Sequence, residues 1–227
     1  MQIAIDGPAG AGKSTIAKLA AERLGFIYID TGAMYRALTY LVLQKGADPH
    51  DEEGVFRIQQ AMDLQLEPGT GTTACRVLVD GVDVTEKIRH PDVGKLVSIV
   101  SRHGKVRREM VALQQKLASG RNVVMDGRDI GTTVLPKADL KIFLSASVEE
   151  RARRRLAEFM QKGHGLTLDA VIAELKQRDH IDSTREVSSL CKADDAVEID
   201  TTDLSIEQVV ERVLALVVRR ENGVQGP

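Results

Sequence analysis

The chain has almost no net charge, −2 over 227 residues, so it offers no global field for nucleic acid or an anionic membrane surface. Cysteine is nearly as scarce. Cys75 and Cys191 lie far apart and outside any C-x-x-C arrangement, which argues against a disulfide scaffold or a zinc site. Two buried free thiols in a reducing cytosol are the expectation. The five histidines lack metal-ligand spacing and read as surface or core residues. No apolar run approaches the length of a membrane span. The apolar residues near Met1 read as a first strand, leaving no room for a signal peptide, so a cytoplasmic protein is expected. There is no low-complexity segment and no internal repeat. Nothing suggests an obligate interface, so a monomer is expected.

What remains is enough chain to bury one large α/β domain with appendages. Strand and helix patterns alternate, which argues for a parallel sheet covered on both faces. Ile3-Ala4-Ile5 and Phe26-Ile27-Tyr28-Ile29 read as strands. After Asp30-Thr31-Gly32, the apolar positions Met34, Ala37, Leu38, Leu41 and Val42 fit the helical template, with Gly46 as its stop. Further strands are expected at 122–126, 140–144 and 196–200, making five parallel strands. A last helix carries the stripe Ile206, Val209, Val210, Val213, Leu214 and Val217. Glu221 to Pro227 read as a frayed tail. Two segments interrupt the plan. Residues 64–90 contain Gly69-Thr70-Gly71 and then two alternating runs around Asp80-Gly81, a strong hairpin signal. Residues 148–185 are charged, helical and dense in arginine.

The most informative stretch is Gly7-Pro8-Ala9-Gly10-Ala11-Gly12-Lys13-Ser14-Thr15, a full match to G-x-x-x-x-G-K-[ST] between a strand and a helix. Glycines let successive backbone N–H groups converge on one phosphate chain, and the helix N-terminus adds partial positive charge. Lys13 then reaches the β- and γ-phosphates of ATP, and the Ser14 hydroxyl is placed to hold Mg²⁺. The bare pattern arises by chance in roughly 1% of chains this long. A guanine-reading Asn-Lys-x-Asp is missing, which counts against a GTPase switch. Arg151, Arg154 and Arg155 share one helical face at i, i+3 and i+4. Alone, such a run reads as a solvated, salt-bridged surface. After a phosphate loop it reads as a mobile lid that neutralises charge and excludes water during phosphoryl transfer.

Three motifs give the chain a family resemblance: Ile5-Asp6-Gly7-Pro8-Ala9-Gly10-Ala11-Gly12-Lys13, Asp30-Thr31-Gly32-Ala33-Met34-Tyr35-Arg36 and Asp126-Gly127-Arg128-Asp129-Ile130-Gly131-Thr132. Lys141-Ile142-Phe143-Leu144, Glu150-Arg151-Ala152 and the stretch from Arg178 to Arg185 add to them. On these residues the chain resembles the bacterial cytidylate kinases, within the nucleoside monophosphate kinases, over nearly its whole length. The resemblance implies ATP-dependent, Mg²⁺-assisted phosphorylation of CMP and dCMP. A kinase for another pyrimidine monophosphate or a small metabolite, or a nucleotide-dependent switch, are the alternatives.

The resemblance also implies a division of the chain. The phosphate-loop core would comprise residues 1–30, 91–147 and 186–227. A monophosphate-binding region with the β insertion would span 31–90, and a lid 148–185. Arg36 and Arg128 would hold the acceptor phosphate, since a planar guanidinium fork matches phosphate oxygens. Thr31 would hydrogen-bond the nucleotide nearby. Ser98, Arg107 and Asp129 would read the cytosine edge, whose amino group donates and whose ring nitrogen and carbonyl accept. Ser98 also reads as a small residue packed within a helix. Arg178, Asp182 and Arg185 would close on the ribose side. Lys13 with Arg128, Arg151, Arg154 and Arg155 makes up the expected catalytic set. Asp126 reads either as a ligand to a Mg²⁺-bound water beside Ser14 or as a plain hydrogen-bond acceptor. Ile181 stands where certain relatives carry a lid arginine, which leaves the full set of lid cations open.

Overall fold

In the computed structural model, which describes residues 1–67, 75–161 and 165–223, the chain opens with β1 (Gln2–Asp6), α1 (Lys13–Leu24), β2 (Ile27–Asp30) and α2 (Thr31–Gln44). Next come α3 (Glu52–Ala61), β3 (Leu64–Glu67), β4 (Arg76–Val79), β5 (Val82–Asp83), α4 (Pro91–Ser101) and α5 (Gly104–Ala118). The rest is β6 (Val123–Gly127), β7 (Leu140–Ser145), α6 (Val148–Gln161), α7 (Leu168–Thr184), β8 (Val197–Asp200) and α8 (Ile206–Glu221). As expected, five strands form one sheet, in the order β2-β6-β1-β7-β8, and every pairing is parallel.

The two-residue alternation of β1 sorts its side chains between two cores. Ile3 and Ile5 pack with Ile16, Ala17 and Ala20 of α1 and with Val209, Val210 and Val213 of α8. Ala4 faces the opposite layer, where Met34, Leu38 and Val42 of α2 meet Val97 of α4 and Met110 of α5. The central strands β1, β6 and β7 are buried on both sides, which is why they read as apolar runs rather than as alternating ones. Asp30 caps α2 by accepting the Ala33 amide at 2.8 Å, and Gly46 (φ 61°) follows the helix as expected. Ser205 and Gln208 form a reciprocal capping box on α8.

The insertion is a three-stranded antiparallel sheet, β3-β4-β5. Asp80 (φ 52°) and Gly81 (φ 76°) take the two left-handed positions that a tight hairpin turn demands. Val77, Val79, Val84 and Ile88 pack it against Ala33 and Ala37 of α2. The Gly69-Thr70-Gly71 stretch lies outside the described residues. Helices α6 and α7 share a small core of Ala152, Phe159, Val171 and Leu175 with Ala9 of the phosphate loop. Among the described residues, no helix is long and apolar enough to cross a membrane.

Three expectations change. Ile206 is 54% exposed because it occupies the first turn of α8, ahead of the stretch that packs on the sheet. Cys75 is buried, but Cys191 is exposed in the connection after α7. Glu221 closes α8 rather than fraying, and residues 224–227 lie outside the described chain.

Candidate active site

In an open parallel sheet, ligand clefts form beyond the carboxyl ends of the strands. Here the ends of β1, β2, β6 and β8 deliver the phosphate loop, Thr31, the 126–129 segment and Thr201 to one cleft of about 660 Å³. Gly7 leaves β1 at φ 147°, and a Cβ there would lie 2.0 Å from the Leu144 carbonyl oxygen. Glycine is therefore the residue that lets the loop turn against β7. Ala9, Gly10, Gly12, Lys13, Ser14 and Thr15 line the cleft, with Gly7, Pro8 and Ala11 behind them. The Lys13 ammonium donates to the Pro8 carbonyl at 2.7 Å. Burial, and then the nearby Arg128 guanidinium, hold its pKa well below the ordinary lysine value. A cation stored under these conditions gains from an incoming anion.

Ser14, in the first turn of α1, donates to Asp126 Oδ2 at 2.9 Å, and the Tyr28 hydroxyl donates to Asp126 Oδ1 at 2.8 Å. Burial, followed by the neighbouring Asp30, pushes the Asp126 carboxyl up to about 7, against the opposing pull of Lys13. Thr31 donates to the Asp126 carbonyl at 2.7 Å, tying the start of α2 to β6.

Every residue expected to bind the acceptor lines the same cleft. Arg36 and Arg178 face one another's charge within it. Burial first, then Arg155, pushes Arg36 down to about 10; burial, then Arg128 and Arg36, pushes Arg178 down to about 9. The Arg178 Nε has no partner. Arg128 donates to Asp182 Oδ2 at 2.9 Å. At the far end, the two oxygens of Asp129 take Arg107 Nη2 at 2.7 Å and Arg185 Nη2 at 3.4 Å. Arg107 also donates to the Ser101 carbonyl at 3.1 Å and lies over the Tyr35 ring, 5.3 Å from its centroid. Ser98 is buried beside this group.

The arginines of α6 diverge. Arg154 donates to the Thr201 carbonyl at 2.6 Å and Arg155 stacks 4.6 Å from the Phe159 centroid, and both line the cleft. Arg151 does not. Its guanidinium donates to the carbonyls of Ala146 (3.1 Å) and Ala9 (3.0 Å) and to Asp179 Oδ2 (2.7 Å). It ties the phosphate loop, through the Ala9 carbonyl, to Asp179 of α7.

Sequence reasoning passed over two buried acceptors of order. Asp6 takes the Ile130 and Gly131 amides at 2.8 and 2.7 Å, fixing the π-helical turn (Ile130–Val134) that presents Asp129. Burial pushes Asp6 up to about 6. Thr201, at the end of β8, accepts Arg154 and donates to the Ser145 carbonyl at 3.0 Å. The signal for Asp6 was a carboxylate ending a buried apolar strand, which needs donors to stay there.

A glycine loop opening a helix at the end of a parallel strand, facing a cationic cleft, is the construction of a P-loop phosphotransferase. The crystal structure of shikimate kinase from Bacteroides thetaiotaomicron shares this fold, with a TM-score of 0.51 at 16% identity over 96% of this chain and 98% of that one. The family model for cytidylate kinase matches residues 3–219. A cytidylate kinase from Oceanobacillus iheyensis is 56% identical over 93% of this chain and 91% of its own length. One from Geobacillus kaustophilus is 55% identical over 97% of each. The chain belongs to the cytidylate kinase family.

Proposed function

We propose that the chain phosphorylates CMP and dCMP to the diphosphates with ATP as donor, as a nucleoside monophosphate kinase. The observation that carries the site reading is the gathering of Arg36, Arg128, Arg155 and Arg178 around one cleft with the buried ammonium of Lys13. Cations crowded this way are stabilised by phosphate anions, and phosphoryl transfer needs positioning and charge neutralisation more than covalent chemistry. Lys13 and the loop hold the donor phosphates, whose nucleoside extends toward Arg154 and the exposed Ile206. Arg36 and Arg128 hold the acceptor phosphate. Ser98, Arg107 and Asp129 read the base; Arg178, Asp182 and Arg185 close beside the ribose. No general base is required, because a phosphate monoester has its second pKa at about 6 and is already a nucleophile.

Mg²⁺ fits the remaining oxygens. Among the described residues no group of three or more His, Cys, Asp or Glu would cage a cation. Mg²⁺ binds instead through one or two carboxylates, waters and substrate phosphates, and Ser14 with Asp126 supplies such a partial shell. Held there, Mg²⁺ would supply charge neutralisation to the donor phosphates. Residues 1–30, 91–147 and 186–227 act as the core, 31–90 as the monophosphate-binding region and 148–185 as the lid. The reading includes a monomer that works in the cytoplasm.

Base selection tests this reading. Asp129→Ala should lower kcat/KM for CMP by about a hundredfold, about 3 kcal/mol, and much less for UMP, which lacks the amino donor. Arg128→Ala should damage both acceptors about equally, because it holds the phosphate they share. Equal loss for both bases in the Asp129 variant would remove that residue from base recognition.

A further inference from the structure

Tyr28 lies in β2, opposite Val124 of β6, and its partly buried ring packs against the core shared with α1. It is not part of the cleft wall. Its hydroxyl nevertheless ends on Asp126 Oδ1 at 2.8 Å, while Ser14 ends on Oδ2 at 2.9 Å. The two oxygens of this carboxylate therefore have different partners: one bonded inward to the strand layer, the other turned toward the first turn of α1.

We infer that Tyr28 is a positioning residue that fixes the rotation of the Asp126 carboxylate and so sets how well the site takes the divalent cation of a nucleotide complex. The inference rests on the reading of Ser14 and Asp126 as a Mg²⁺ site. A carboxylate rotates about a broad, roughly two-fold torsion, so packing alone does not orient it. A phenol donating to Oδ1 holds that oxygen toward β2 and so turns Oδ2 toward Ser14 and a metal-bound water. Outer-shell donors of this kind orient acidic metal ligands, and their loss costs metal affinity rather than the ligand itself. The polar atom also argues against a purely apolar role. Burying a hydroxyl at the foot of the cleft costs free energy unless it is bonded, and phenylalanine would fill the same space without that cost.

The test is calorimetric binding of ADP in EDTA and in excess Mg²⁺, for wild type, Tyr28→Phe and Asp126→Asn. Tyr28→Phe keeps the ring, so its ADP affinity in EDTA should stay within about twofold of wild type, which also reports an intact phosphate loop. The gain in affinity on adding Mg²⁺ should shrink by about tenfold. The Mg²⁺ concentration for half-maximal kcat should rise in parallel, with kcat at saturating Mg²⁺ little changed. A Tyr28→Phe gain equal to wild type would overturn the inference, as would an equal loss of affinity with and without the metal. Asp126→Asn separates the two readings. If it loses the gain while Tyr28→Phe keeps it, only the role of Tyr28 falls. If it too keeps the full gain, Asp126 does not serve the cation, and both fall.

Discussion

At Asp6 two backbone amides meet one carboxylate that the sheet has removed from water. Burial outweighs those amides and Lys13, so the carboxyl rises from 3.8 to about 6. Between those two values the native chain holds a proton that the unfolded chain has released. Stability from this group is therefore fully present below about 4 and falls as pH rises through about 6. A carboxyl-carbon NMR titration of the unliganded protein should place the Asp6 midpoint near 6, and a midpoint near 4 would contradict the burial argument. Residues of this sort are hard to see in a sequence. That Lys13, Ser14, Arg36 and Asp129 would meet in one cleft was legible from their motifs. Asp6 and Tyr28 act on other residues of the protein, and their partners lie more than 90 positions away. The surroundings of Arg151 were equally hidden in the sequence. Spacing put it on the face of Arg154 and Arg155, but an inward-turned guanidinium found carbonyls on the phosphate loop instead.

Among the elements, legibility followed periodicity. The helix after Asp30 and the hairpin around Asp80-Gly81 carry complete patterns and formed as expected. Helix α3 buries only Val55 and Gln59 completely, so its apolar stripe was too thin to announce it. Helices α6 and α7 are unusual in another way. Their shared apolar core is small, and ion pairs do much of the docking: Arg151 with Asp179, Arg128 with Asp182 and Arg185 with Asp129. Contacts to charged partners can be exchanged for contacts to phosphates, which suits a lid that opens for exchange and closes for transfer. Amide hydrogen exchange in α6 and α7 should therefore slow when both nucleotides, or a bisubstrate analogue, are bound. Identical protection with and without ligand would return these arginines to the role of a solvated surface.

Over the whole molecule, the parallel sheet is what makes one site from distant segments. Residues from the first strand to the last meet at its carboxyl edge: Gly12 after β1, Thr31 after β2, Asp129 after β6 and Thr201 after β8. The same cleft is lined by the exposed Ile206 of α8, by Lys13, and by Ser98 and Arg107 of α4 and α5. A phosphotransferase that takes donor and acceptor in one cleft should turn over only when both are present. A coupled ADP-release assay with ATP and AMP, GMP, UMP, CMP, dCMP or dTMP measures this directly. CMP and dCMP should give the highest kcat/KM, UMP should fall well below both, and release without an acceptor should be slow. ADP release that ignores the acceptor, or that is fastest with a purine monophosphate, would contradict cytidylate kinase activity.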